Sequence, residues 1–454
     1  MGIFGILSLG RQGIFASQFG LNTASNNISN ANTPGYSRQR VNFVPAYPQY
    51  TGFGPLGNGV DVASVQRLRD RALDFQLWGQ KSLLGNSQAS EKYLQQIEAV
   101  FNEVNGDGLS GALDGFWNSW LELSNHPSDM ISRSQVIEKT NVLVGQFHQK
   151  SSRLQALSRS VSKDAELTLA KVNTLAQQIA DLNNKIVQTA GNKFNNITLM
   201  DKRDQLIDQL SGLIDVNVSD GSSGTVGVNI GSMSLVDGVT ATPLELDQSG
   251  AKLAVKFKNG AALESPGGEI GALLSIKNNI ISHFQSKLDD FAKNLVTSVN
   301  TLHQKYYGLD GSSGRDYFDP NGISADAITL SQTIANDAKK IGVSSDGSIG
   351  DNSGALALAR LKDETLMNSG ASTFSDFYGQ LITDIGEKSS QATMSVSENQ
   401  SLVQALNTQR QSVMGVSIQE EMVNMIKYQH ALEASSKIIS IADEMIQTVL
   451  NIVR

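Results

Sequence analysis

The chain has 454 residues, enough for two or three domains of roughly 150 residues each. Only 18% of residues are charged and the net charge is −8 without basic blocks, which excludes an electrostatic footprint for nucleic acid or an anionic membrane. There is no cysteine, which excludes disulfides, thiolate nucleophiles and Cys-ligated metal centres together, and aromatics at 6% imply thin cores and an elongated shape.

At the N-terminus, Ile3 to Leu9 are apolar, but no basic residue precedes them and Arg11 cuts them short, unlike a cleaved secretory signal. Met1-Gly2 is followed by Ile6 where myristoylation wants Ser or Thr. No run approaches the roughly 20 apolar residues of a membrane span. Export, if it occurs, is expected to leave the N-terminus uncleaved.

The first predicted helix carries Leu7, Ile14, Leu21 and Ile28 on a seven-residue repeat, with Gly10, Ser17, Ala24 and Ala31 three residues after each. A row of large residues beside a row of small ones describes a helix that packs closely against a neighbour. Gly10, Gly13 and Gly20 weaken it by about 1 kcal/mol each, so it is not expected to stand alone. Pro34-Gly35 suits the centre of a type II turn, Pro setting φ and Gly supplying φ > 0, and the helix should stop by Asn32. Residues 41–66 read as strands and turns.

From Arg67 to Thr189 the pattern is helical, with Leu154, Ser158, Val161, Ala165, Thr168, Val172, Leu175, Ile179, Leu182 and Ile186 spaced four and three apart. A short amphipathic helix follows at Met200 to Leu213. Ten glycines fall between Ser219 and Gly271, among Val- and Thr-rich runs, which reads as a small β domain. Helix resumes near Glu269 and runs to Tyr306, a Gly/Asp/Ser-rich loop region reaches about Asn352, and helices fill the rest.

The last 39 residues, Val416 to Arg454, contain no Gly or Pro. Ile418, Met425, Leu432, Ile439, Ile446 and Val453 form a perfect seven-residue row on a helix about 58 Å long. Full burial of those six is worth about 9–18 kcal/mol, which one helix cannot achieve alone. The N-terminal row is the expected partner.

The layout is therefore an α+β fold, elongated, with long terminal helices packed as a coiled coil, a helical body and an inserted small β domain. The expected boundaries are 1–60 with 405–454 for the terminal module, 61–214 with 267–404 for the body, and 215–266 for the β domain. The insert is placed at the far tip of a hairpin-like rod.

No chemical motif stands out. Gly52-Phe53-Gly54-Pro55-Leu56-Gly57 has dinucleotide-binding spacing, but Pro55 sits where backbone amides should face a pyrophosphate, so a turn-rich hairpin is expected. His126, His148, His283, His303 and His430 show no metal-ligand spacing. Asp310, Asp316 and Asp319 with Asn321-Gly322 suggest a calcium loop, yet Tyr317 and Ile328 fall where an EF-hand needs oxygen ligands. No catalytic, cofactor or metal site is expected.

The run from Asn26 through Asn32, Thr33, Pro34, Gly35 and Tyr36 to Gln39 resembles the N-terminal signature of the bacterial flagellar rod, hook and hook-associated axial proteins. The resemblance continues through Phe116-Trp117, Leu123-Ser124, Pro127 with Arg133, Arg203-Asp204-Gln205-Leu206, Gly267 to Leu274 and Val299 to His303, and ends on the Ile418-to-Val453 helix. It departs at Leu432, where the family often has Tyr, and in the 308–352 stretch, too short for a second outer domain.

The resemblance implies a structural, non-enzymatic axial component joining hook to filament, located outside the cell on the flagellum after type III export. It implies terminal helices forming an inner tube, self-assembly into a ring-like layer, and an export chaperone on the C-terminal region. The implied neighbours are the hook protein and a second hook-associated junction protein, with no nucleic acid, membrane or cofactor. A type III-secreted adhesin or translocator with coiled-coil ends is the alternative; it leaves the Thr33-Pro34-Gly35 turn unexplained.

Overall fold

Helix α1 (Ile3–Ser29) is followed by two antiparallel hairpins, one nested in the other. Strand β1 (Gln39–Pro45) pairs with β4 (Val60–Arg67), and β2 (Gln49–Thr51) pairs with β3 (Gly54–Leu56). The structure is a computed structural model that describes residues 2–51, 54–103, 108–189 and 196–452. Gly52 and Phe53 of the glycine motif therefore lie outside the described residues, but Gly54 to Leu56 form a strand of the expected hairpin.

Four helices come next: α2 (Arg71–Phe101), α3 (Leu109–Asn125), α4 (Met130–Gln188) and α5 (Ile197–Leu213). Asp70 caps α2 by accepting from the Ala72 and Leu73 amides, and Asp129 caps α4 by accepting from Ser132, satisfying amides that a helix start leaves unpaired. At 59 residues α4 is about 88 Å long and is the spine of the body. Its predicted row from Leu154 to Ile186 is buried or half-buried throughout.

The β region holds two sheets. Strands β5 (Asn217–Asp220), β6 (Val226–Ile230), β7 (Met233–Asp237) and β8 (Thr240–Ala241) form a meander. Strands β9 (Leu244–Asp247), β10 (Ala254–Phe257) and β11 (Ala262–Leu263) form a second one. Helix α6 (Gly268–Ser275) then runs through a π turn at Ile276–Ile281 into α7 (Ser282–His303). The 304–372 stretch carries only short helices, α8 (Gln332–Asn336) and α9 (Ser353–Arg360), with isolated bridges between Tyr307 and Ser344 and between Phe318 and Leu330. Helix α10 (Phe374–Met414), opened by a Thr373/Asp376 capping box, returns antiparallel along α2, and α11 (Ile418–Ile452) closes the described chain.

The β insert is not at the far tip. Arg71 at the start of α2 pairs with Asp220 of β5, and Asn183 near the end of α4 bonds Val226. The insert thus flanks the end of the body nearest the terminal helices. The opposite end is built by the α3–α4 turn and the 304–372 stretch, where Arg133 donates to the carbonyls of Pro127 and Ile341 and Asn352 donates to Ser124. The insert also shares the body's core: Val218, Val228, Val255 and Phe257 belong to one contiguous cluster with Leu154, Val172, Phe291 and Trp120. Glycine-rich texture hid this, because the large apolar residues between the glycines point inward with the exception of Val239.

Among the described residues, five asparagines fasten strand ends and loop segments to helices by one device. Asn27, Asn173, Asn183, Asn278 and Asn300 each accept a backbone N–H and donate to a backbone carbonyl, at Gln39, Leu244, Val226, Leu253 and Phe318 respectively. The amide side chain presents donor and acceptor side by side, as a neighbouring strand would. Strand ends and segments outside the ladders are held to the helices this way.

Candidate assembly site: the terminal helices and their turn

Helices α1 and α11 pack along each other, and the contact is made by the small residues. The buried positions of α1 are Gly10, Ala16, Ser17, Gly20, Ala24 and Asn27. A Cβ at Gly10 would lie 2.6 Å from Ile439 Cγ1, and one at Gly20 would lie 2.7 Å from the Tyr428 ring. Gly13 likewise faces Ser435. These glycines weaken the isolated helix but let the two backbones approach.

The large residues stand beside this seam. Leu7, Ile14, Leu21 and Ile28 are half-buried, as are Met425, Leu432, Ile439 and Ile446. Ile418 is 47% exposed, and Val453 lies outside the described residues. The two rows therefore meet only partly, because a two-helix pair covers one flank of each. Phe4, Phe15, Met422, Val423, Ile426, Met445, Val449, Leu450 and Ile452 are exposed on the same pair. Single exposed apolar residues are ordinary, but a concentration on one helix pair makes it the candidate interaction surface. None of the described residues of the terminal pair joins the body's core cluster.

The turn after α1 has the predicted form. Tyr36 N–H donates to Thr33 C=O at 3.2 Å and Gly35 has φ +79°, so Thr33 to Tyr36 is a type II turn around Pro34-Gly35. Asn32, Thr33, Pro34 and Gly35 are exposed, Tyr36 is half-buried and Ser37 is fully buried. Tyr36 OH donates to Asn27 Oδ1 at 2.8 Å, closing the turn back on α1. Burial, with Asp201 and Glu421 nearby, holds the Tyr36 hydroxyl well above its ordinary pKa. Arg38 pairs with Glu420 and Glu421 at 2.7 Å, and Asn27 Nδ2 donates to the buried Glu421, so the turn also locks the start of α11.

Beneath the turn lies a charged node that the sequence did not disclose. Ser37 donates from Oγ and N–H to Asp201 on α5, at 2.8 and 3.2 Å. Arg67 bridges Asp201 and Asp204, and Arg69 bridges Asp204 and Asp74. Arg410 of α10 reaches Asp208, which also takes Lys81 and the Trp78 indole N–H. Burial pushes the Asp204 carboxyl up, but Arg69, Arg67 and Arg203 outweigh it and hold it below the usual carboxylate value. Asp208 is lowered likewise, with Lys81 and Arg410 overcoming its burial. Of the Arg203-Asp204-Gln205 run that carries part of the resemblance, Arg203 and Asp204 sit in this node, and Gln205 packs against Gly35.

The remaining candidates stay apart. Among the described residues no three His, Asp or Glu side chains are grouped to hold a metal, and no helix is long and apolar enough to cross a membrane. Asp310 holds Ser312 and Arg315, Asp316 takes Gln304 and Asp319 caps its own turn, while Tyr317 and Ile328 are core residues. His303 is buried, with its ring nitrogens on the Arg315 carbonyl and the Gly342 amide.

Residues 94–318 match the family model described as the flagellar hook-associated protein FlgK helical domain. Residues 402–452 match the flagellar basal body rod FlgEFG protein C-terminal model, and 14–36 the flagella basal body rod protein model. Those last two ranges fall on the end of α10 with α11 and on α1 with its turn. The flagellar hook-associated protein 1 of Bacillus subtilis is 30% identical, over 98% of this chain and 97% of that protein. The protein of the same name from Escherichia coli is 26% identical over 97% of this chain and 98% of its own length. A solved structure, the flagellar hook junction protein FlgK from Burkholderia pseudomallei, shares the fold with a TM-score of 0.65 at 14% identity, over 75% of this chain and 100% of that one. By near-full-length identity to relatives of that name, and by terminal helices, turn and body in the matching order, this chain belongs to the flagellar hook-associated protein 1 family of bacterial flagellar structural proteins.

Proposed function

We propose that copies of this chain stand side by side as a layer between hook and filament, each inserting its α1–α11 pair into an inner tube with the body outward. The observation that carries this reading is the unfinished terminal pair: its small-residue seam is closed within one chain, while Phe15, Val423, Ile426, Met445 and Leu450 remain uncovered. Neighbouring copies supply the missing cover, and each large side chain so buried contributes roughly 1.5–3 kcal/mol. The self-assembly residues are Leu7, Ile14, Leu21 and Ile28 on one helix and Ile418, Met425, Leu432, Ile439, Ile446 and Val453 on the other. Asn32 to Tyr36 form the turn that orients them.

The role is mechanical and needs no catalysis. The chain reaches its place outside the cell by type III export, escorted by a chaperone on the C-terminal region, and meets the hook protein below and a second hook-associated junction protein above. Deleting the gene and complementing it tests the reading. The deletion should give hooks without filaments and flagellin lost to the medium, and complementation with Ile446→Asp should leave that defect uncorrected. Normal filaments in the deletion strain would reject the junction role.

A further inference from the structure

The terminal module and the body touch through few groups. The module comprises α1, the β1–β4 hairpins and α11; the chain crosses to the body only at residues 68–70 and 415–417. Gly415 breaks what would otherwise be one helix from Phe374 to Ile452. Covalent links of three residues leave the relative orientation free, so side chains must set it.

We propose that Asp201 is the positioning residue that fixes the angle between the terminal module and the body. Asp201 sits on α5, which belongs to the body, and is 7% exposed. Its Oδ1 takes Ser37 Oγ from the turn and Arg67 Nη1 from the end of β4, both at 2.8 Å, and its Oδ2 takes the Ser37 amide. The turn and the strand end enter the joint from different directions, and one carboxylate receives both. Two points of the module tied to one buried body residue, added to the α10–α11 crossing, restrain the rotation of one part against the other. Elsewhere in the node, Asp204 shares Arg67 with Asp201 and takes Arg69 at the crossing, Asp74 takes Arg69, and Asp208 is tied to body helices; none of these three touches the turn, so Asp201 alone among the four carboxylates joins both. Arg38 bonds the terminal helix α11, and its amide donates to Met414 at the end of α10. This inference rests on the layer reading above for its use, since every copy in a layer must present its module at one angle.

The absence of cysteine allows a direct test on the isolated full-length chain. Spin labels at Lys171→Cys on α4 and Lys437→Cys on α11 report the distance between body and module by pulsed dipolar spectroscopy. The parent should give one narrow distribution. Asp201→Ala should broaden or shift it while the body's melting midpoint stays unchanged, and Asp201→Asn and Ser37→Ala should do so to a smaller degree. A distribution in Asp201→Ala as narrow and as centred as the parent's overturns the proposal, as does a parent already as broad as the variant. Broadening accompanied by an equal loss of body stability in both Asp201 variants would make the residue structural and overturn it too. No hook is needed for this measurement, so its failure is separate from failure of the junction reading.

Discussion

The body and the terminal pair bury apolar surface by opposite means. In the body, Phe291 stacks among Phe147, Phe374, Phe377 and Tyr378 with ring centroids 5.3–6.1 Å apart, and all of it is closed within one chain. In the terminal pair, glycine, alanine and serine make the seam and the large side chains stand at its margins. A closed core stabilises a monomer, whereas a seam of small residues fixes two helices and leaves their bulky flanks for others. The body therefore stores stability, and the ends leave the apolar flanks on which the proposed layer depends.

The largest effect should come from the closed side. Phe291→Ala removes the hub of the ring cluster and should cost about 3–5 kcal/mol, lowering the melting transition of the whole body. Denaturant titration would show it as a lower midpoint. A loss below 1 kcal/mol would mean the aromatic cluster is not the body's keystone.

Acid should strike the far end of the body next. His303 is neutral: burial, only partly offset by the Arg315 carbonyl and Asp316, pushes its pKa down to about 4 from 6.5. Gly342 N–H donates to one ring nitrogen, so a proton there would set two donors against each other. Below pH 6.5 the unfolded ring protonates while the folded one does not, so stability falls from pH 6.5 to about 4, by about 3 kcal/mol. Hydrogen exchange at Gly342 against pH checks this, and His303→Gln should flatten that slope.

The seam is predicted to yield to added volume. Gly10→Val places a side chain where Ile439 and the Ser435 carbonyl already stand, at a cost of about 1–3 kcal/mol local to the pair. Exchange protection of α1 and α11 should drop while the body's melting is unchanged. A body transition that moved in step would mean that the pair and the body unfold as one unit.

The smallest effect on the monomer sharpens the comparison most. Val423→Ser and Leu450→Ser alter exposed flanks and should change monomer stability by no more than about 0.5 kcal/mol. Together they should still reduce incorporation at the hook, measured as filaments per cell in a complemented deletion strain. Full incorporation would mean that these flanks are not covered by neighbours.

What could be read from the sequence was what is local or periodic. The Thr33–Tyr36 turn follows from two adjacent residues, and α4 and α11 follow from repeats that persist for many turns. The seam was half legible: the small row was visible, but periodicity alone does not tell which of two parallel rows faces the partner. Asp201 was invisible, because Arg67 and Ser37 lie 134 and 164 residues before it and no spacing rule reaches that far. The insert was misplaced because its glycine content resembles an outlying loop, whereas its buried Val228, Val255 and Phe257 join the body's core.

The five asparagine clamps also bear on how the molecule ages. Asparagine loses its amide nitrogen with time, and the aspartate that results keeps the acceptor and loses the donor. A clamp so altered would release the carbonyl of Gln39, Leu244, Val226, Leu253 or Phe318 and set an acid in its place. In this chain the residues that follow the five are Ile28, Thr174, Asn184, Asn279 and Thr301, none of them the glycine that lets a backbone amide attack its neighbour most freely. Asn27 and Asn183 are fully enclosed, and a helical backbone holds all five away from the geometry of attack. With no thiol to oxidise either, the parts that wear first are the exposed methionines Met130, Met394, Met422 and Met445, two of them on α11.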